Sequence, residues 1–281
     1  MNNQGSNINQ FSSNKYISGS KEFLESNSLV AKFAFLLFVI FMYVFLLRVG
    51  IVIFGLFYGT PQAQQFISGM VNGNQMLTFP QDPKMSGSKT TLRSQNETDG
   101  IEFTWSVWLF IDPTTPFTSG YQHIFHKGNS DISTDTGLNF PNNAPGLYIM
   151  PNTNALAVIM NTYNSINEEI TVEDIPLNKW VNVIIRCSNT KMDVYINGII
   201  AKSIILNGVP KQNYGNVYVA MNNGFTGNIS NLWYYNYALS IREIQQLTSS
   251  GPDTNASSSS NNSSSNSISD YLALRWYFPS N

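Results

Sequence analysis

From Phe33 to Phe57 the chain carries a single charge, Arg48, in a run of Phe, Leu, Ile and Val. As an α-helix this stretch would be about 37 Å long at roughly 1.5 Å per residue, enough to cross a hydrocarbon core of about 30 Å with some tilt. Apolar side chains go all round such a helix, so it does not read as an amphipathic surface helix. A cleavable signal peptide would carry a shorter apolar core nearer the start, whereas here polar, Asn- and Ser-rich residues 1–28 come first. The expectation is therefore a disordered polar tail over 1–28 and an uncleaved transmembrane helix over 29–58. Phe33, Leu47, Arg48 and Phe57 would then lie in the lipid bilayer. A mid-membrane Arg costs about 2.5–3.5 kcal/mol on insertion scales. Arg48 either snorkels toward a headgroup layer or pairs with an acid on a partner helix, and snorkelling is the favoured reading. Lys15, Lys21 and Lys32 precede the span, and after Arg48 the next basic residue is Lys84. The excess of positive charge before the span puts the N-terminus on the cytoplasmic side and the C-terminal domain on the extracytoplasmic or coat-facing side.

The remainder reads as all-β. Charged residues are only 11% of the chain and the net charge is -2, so no basic stripe exists to hold nucleic acid. The single cysteine, Cys187, cannot form an intramolecular disulfide and sits in an apolar run, where it reads as a small buried hydrophobe. Residues 59–90 read as a spacer. From about 91 the pattern has period two. Strands are expected over 103–111, 122–126, 146–150, 155–161, 169–173, 180–187, 192–196, 199–206, 216–221 and 228–235. Asn197-Gly198 between two β-prone runs predicts a type I′ hairpin. Ser240 with Glu243 forms a capping box, and Leu239 with Ile244 a hydrophobic staple, so a short helix is expected from Ser240 to Leu247. Residues 248–269 are a Ser/Asn-rich linker. Residues 270–281 return to strand character and read as a docking strand carrying Leu272, Leu274, Trp276 and Phe278, joining either an edge of its own sandwich or a partner.

These elements carry a resemblance. The runs Leu177-Asn178-Lys179-Trp180-Val181-Asn182-Val183, Val194-Tyr195-Ile196-Asn197-Gly198, Phe225-Thr226-Gly227-Asn228-Ile229 and Tyr235-Asn236-Tyr237-Ala238-Leu239-Ser240, in that order, look like the laminin-G-like branch of the concanavalin A-like lectin/glucanase superfamily. The opening strands Phe103 to Trp108 and Ile124 to Gly128 are similar to those of the same family. The resemblance covers roughly 91–247 and implies an antiparallel β-sandwich, a jelly roll of two sheets with a shallow concave face. It also implies glycan binding, sometimes through calcium, with some members acting as glycosidases. Asn231 stands where many relatives have an acid. The membrane-anchored form with Asn/Ser-rich segments resembles virion proteins of large DNA viruses.

Catalysis is not expected. A retaining glycosidase needs two carboxylates about 5–5.5 Å apart. The nearest candidates, Glu169 and Glu173, share a face only if their strand stays extended. His123 and His126 have odd spacing, which puts them on opposite faces of a strand and makes them a poor metal pair. For sugar recognition the loop candidates are Tyr121, Asp131, Asn142, Asn143, Tyr214, Asn222 and Asn223, which offer rings and amides. The first functional expectation is a non-catalytic, membrane-anchored structural or assembly protein, such as a minor capsid protein of a viral coat, docking onto neighbouring proteins. The alternatives are a surface lectin and, more remotely, a glycoside hydrolase.

Overall fold

The computed structural model describes residues 29–57 and 63–257. The chain separates into two units, residues 1–60 and 61–281. In the first, Leu29–Phe57 forms helix α1. It is long and apolar enough to cross a membrane, and by length and composition it equally suits a signal sequence. Its apolar side chains stand exposed around the helix, Phe33 and Leu47 among them, and Arg48 is exposed as well.

The second unit is a sandwich of two antiparallel sheets. Its strands are β1 (Ala63–Gln65), β2 (Met70–Asn72), β3 (Leu77–Phe79), β4 (Gln95–Glu97), β5 (Gly100–Ile111), β6 (Gln122–Gly128) and β7 (Asn143–Ile149). They continue as β8 (Leu156–Met160), β9 (Glu168–Val172), β10 (Trp180–Asn189), β11 (Lys191–Ile196), β12 (Ile199–Ile205), β13 (Asn216–Val219) and β14 (Gly227–Tyr235). Helix α2 (Ile241–Ser250) follows. One sheet runs β1-β14-β5-β10-β11-β12, with β2 also on β14 and β4 on β5; the other runs β3-β13-β6-β7-β8-β9. Each expected strand is present within a few residues. Asn197 and Gly198 take φ of 50° and 78°, the two left-handed positions that a type I′ turn requires.

Alternation decides the core. In β5, Phe103, Trp105, Val107, Leu109 and Ile111 point between the sheets and are buried. Trp105 sits at the centre, its ring 5.4 Å from Phe66, 5.2 Å from Phe125 and 4.9 Å from Tyr234. Cys187 is fully buried in the same layer, and burial pushes its thiol up to about 12.

Two boundaries differ from expectation. Residues 63–79 are not spacer: β1 and β2 pair with β14, β3 pairs with β13, and Phe66, Ile67 and Phe79 enter the core. Three-residue strands carry too few positions to show period two. At the other end the Ser/Asn-rich stretch begins ordered. Helix α2 continues to Ser250, Ser230 Oγ donates to Asp253 O at 2.7 Å, and Ser257 N donates to Met70 O at 2.9 Å. The sandwich therefore spans 63–257. The docking strand expected over 270–281, with Leu272, Leu274, Trp276 and Phe278, lies outside the described residues.

Candidate functional site

A sandwich has two outer faces, and each sheet must either cover its own or present it. The eight-stranded sheet covers its face with α2. Ile184 from β10 meets Leu239 and Ile244 in a buried apolar cluster flanked by Tyr195, Tyr235, Tyr237 and Leu247. The expected capping box is present: Glu243 N donates to Ser240 Oγ at 3.4 Å, and Ser240 N donates to Glu243 Oε2 at 2.8 Å. Leu239 and Ile244 close the staple. Arg186 Nε donates to Leu239 O at 2.9 Å and NH1 pairs with the buried Asp193 at 3.1 Å, which fixes the approach to the helix.

The six-stranded sheet is covered by a loop, residues 129–142, folded back as a flap. Ser133 N donates to Leu138 O and Tyr121 N to Thr136 O, both at 2.8 Å; Phe140 N donates to Asp131 O at 2.9 Å. Beneath it lie Tyr148, Ala157 and Ile159, all fully buried, with Tyr121, Leu138 and Met150 packed around them. The shallow open face implied by the resemblance is therefore filled.

A polar network ties flap to sheet. Asn139 Nδ2 donates to Asn129 O at 2.8 Å and to Asp131 O at 2.6 Å. Asn143 Nδ2 donates to Asn139 O at 2.8 Å, while Tyr148 Oη donates to Asn143 Oδ1 at 2.6 Å. The histidines complete it. A register shift between His123 and Phe125 inserts one residue into β6, and a bulge of this kind changes strand parity. His123 and His126 consequently share the outer face and touch, correcting the opposite-face expectation. Met221 N donates to His123 Nδ1 at 3.0 Å, so His123 holds its proton on Nε2. That proton faces His126 Nδ1 at 2.6 Å, and His126 Nε2 donates to Asn129 O at 2.8 Å. Each ring nitrogen has one partner, and the chain closes only with both rings neutral. Burial pushes His126 down to about 4; burial and the neighbouring His126 push His123 well below its ordinary value.

The sequence-derived candidates do not converge. Asn143 is fully buried within this network. Asp131 is exposed on the flap and accepts from Asn129 Nδ2 at 2.7 Å. Tyr121, Asn222 and Asn223 lie at the end where β6 begins. Tyr121 Oη donates to Glu169 Oε2 at 2.9 Å, and burial pushes its phenol up to about 12. Asn222 and Asn223 take φ of 52° and 64° in a tight turn closed by Gly224 N donating to Met221 O. Asn142 and Tyr214 lie at the opposite end, one β6 length away, about 20 Å at roughly 3.3 Å per residue. Strand β9 ends at Val172, so Glu173 leaves the face that holds Glu169. Glu168 is buried, accepting from Thr162 Oγ1 at 2.6 Å and Asn207 N at 2.7 Å.

The far end of the sandwich carries exposed apolar side chains. Its loops interlock: Asn161 N donates to Asn143 O, Tyr163 N to Val209 O and Lys211 N to Asn161 O. Lys127, buried and drawn down to about 7 by that burial, donates from Nζ to Gly215 O at 2.7 Å. On this frame Tyr163 is 72% exposed, Tyr214 69%, Phe140 53%, Ile166 43% and Val209 41%. Lys211 Nζ stands 5.4 Å from the centre of the Tyr163 ring. Several amide groups nearby hold the loops, while Asn161 Oδ1 and Gln212 Oε1 are buried without a partner. Asn161 Nδ2 donates to Pro141 O and Asn142 Oδ1, Asn164 Nδ2 to Asn207 O, and Gly215 N to Asn213 Oδ1. Sequence reasoning found Tyr214 and Asn142 here but missed Phe140, Tyr163, Ile166 and Val209. Single apolar residues in separate loops give no periodic signal.

A family model, Laminin_G_3 of the Concanavalin A-like lectin/glucanases superfamily, matches residues 84–245. The chain belongs to that superfamily. Similar solved structures include the ligand binding domain of botulinum neurotoxin serotype D in complex with N-acetylneuraminic acid. It shows 13% identity and a TM-score of 0.46, with 67% of this chain and 51% of that one covered. The binding domain of Paraclostridial Mosquitocidal Protein 1 shows 13% identity and a TM-score of 0.43, covering 69% and 48%. Trypanosoma rangeli sialidase shows 14% identity and a TM-score of 0.42, covering 66% and 26%. The chain thus spans about half the length of the first two, and less of the third. No curated protein sequence matches it. Among the described residues no group of three or more His, Cys, Asp or Glu could hold a metal ion. Asn231, at the position where relatives place an acid, accepts from Gln65 Nε2 at 3.3 Å.

Proposed function

We propose that this protein is a non-catalytic, membrane-anchored docking module of a larger assembly, such as a viral coat laid over an internal membrane. Helix α1 acts as the anchor, with the N-terminus on the cytoplasmic side, and the sandwich contacts neighbouring proteins through its exposed loop end. One observation carries this reading: α2 covers part of one outer face of the sandwich and the flap part of the other, and the loop end presents aromatic and aliphatic side chains on interlocked loops. Exposed apolar surface of this kind marks contact sites for macromolecules, and exposed Tyr supplies rigid contact area. A sugar site would also need several amides or carboxylates directed at hydroxyls, and here Asn142, Asn161, Asn164 and Asn213 each use an amide group to bond the loops themselves.

A surface lectin is the second reading, favoured by the exposed rings of Tyr163 and Tyr214, which could stack on a pyranose face. A broad glycan array probed with the full chain in nanodiscs, with calcium and with chelator, separates the two. The docking reading expects no signal under either condition. Binding lost in both Tyr163→Ala and Tyr214→Ala would establish the lectin instead.

A further inference from the structure

Strand β12 is the longest of the sheet-edge strands among the described residues, and it pairs only with β11. Its sequence, Ile199-Ile200-Ala201-Lys202-Ser203-Ile204-Ile205, holds one charge, and Ile199, Ile200 and Ile205 are 72%, 49% and 76% exposed. Leu206 N donates to Thr190 O, so by antiparallel alternation the N–H and C=O groups of Ser203 and Ile205 point away from β11. Proteins seldom leave a long apolar edge open, because it templates pairing with another strand.

We infer that the edge of β12 is covered by residues 271–278 of the same chain, added as a further strand. This rests on the docking reading of the molecule and names what closes its one long edge. The sequence of the segment, Tyr271-Leu272-Ala273-Leu274-Arg275-Trp276-Tyr277-Phe278, alternates so that Leu272, Leu274, Trp276 and Phe278 share a face. It matches the edge in length and apolar character. The other edges suit it less. The free side of β2 is taken by residues 255–257, through the Met70–Ala256 bridge and Ser257 N donating to Met70 O. The end of β3 is crossed by residues 88–91, with Lys89 N donating to Pro80 O. Strand β1 has three residues, and β9 opens with Glu168 and Glu169.

The connection is long enough. Residue 257 is fixed beside β2, and the path from there to β12 crosses six inter-strand spacings, about 29 Å at roughly 4.8 Å each. Residues 258–270 reach about 43 Å when extended at roughly 3.3 Å per residue. A tether of this length holds its cargo at an effective concentration toward the millimolar range, so docking within one chain precedes docking between chains.

Hydrogen exchange by mass spectrometry on the full chain in nanodiscs tests this, against a chain lacking residues 270–281. The expected result is at least tenfold slower exchange over peptides covering 199–206 in the full chain, unchanged on tenfold dilution. Ile205→Pro removes an outward N–H without touching the β11 ladder; in that variant residues 271–278 should lose protection while β11 keeps its own. Equal exchange over 199–206 with and without the segment would overturn the inference. So would protection that disappears on dilution, which would place the segment on a second copy. Neither outcome bears on glycan binding, so the docking reading stands or falls separately.

Discussion

The two outer faces of the sandwich meet the same requirement in opposite ways. On the eight-stranded sheet a capped helix lays apolar side chains, Leu239 and Ile244, over Ile184. On the six-stranded sheet an irregular flap is held by amides, a phenol and two imidazoles, all buried. Apolar cover is tolerant: its contacts are non-directional, and a small loss of volume loses a proportionate share of stability. Polar cover is specific. It depends on directional pairs, and orphaning a partner carries a desolvation penalty; Asn129 Oδ1 and Asn139 Oδ1 are buried without a partner as it stands. The flap side should therefore respond to changes of chemistry, including pH, and the helix side to changes of volume.

Four experiments, ordered by expected effect, can break or sharpen this contrast, each read by urea unfolding of the full chain in mild detergent. Ile244→Ala removes the centre of the helix cover and should destabilise by about 2–5 kcal/mol; a smaller loss than that of Ser240→Ala would mean α2 is not held by apolar packing. Acidification comes next. His123 and His126 have folded-state values below their unfolded values, so the folded state binds fewer protons than the unfolded state. Their contribution is complete above the unfolded value of about 6.5 and is lost as pH falls toward and below about 4, His126 alone accounting for on the order of 3 kcal/mol. In His126→Gln this acid limb should flatten, whereas an unchanged slope would locate the titration elsewhere. Tyr148→Phe conserves volume but leaves Asn143 Oδ1 without its donor, at about 1–3 kcal/mol; no measurable loss would show that the flap network is not structural. Ser240→Ala should be the mildest, about 1 kcal/mol, from the lost N-cap.

The same contrast explains what the sequence could show. The helix cover was legible because the capping box and staple are short-range signals: Ser240, Glu243, Leu239 and Ile244 are all within a few residues of one another. The strands were legible from period two, and the hairpin from Asn197-Gly198. The flap was not legible, because its bonds join Asn129 to Asn139 and Asn143 to Tyr148 through a loop with no periodicity. The histidine pair was misread because one inserted residue at His123–Phe125 reverses face parity, and a bulge leaves no mark in composition. The first three strands were read as spacer because their partners, β13 and β14, lie about 140 to 170 residues further along the chain. At the loop end, the bonds between residues 161–163 and 209–211 join loops nearly fifty residues apart, which leaves no local signal.

The central claim is that this sandwich acts through its loop end and not through an open face. The most direct measurement is incorporation of the full chain carrying both Tyr163→Ala and Tyr214→Ala into its native membrane assembly, with urea unfolding as the control for folding. The account predicts an unchanged unfolding midpoint and at least tenfold lower incorporation than the unsubstituted chain. Wild-type incorporation by a folded double variant would contradict it.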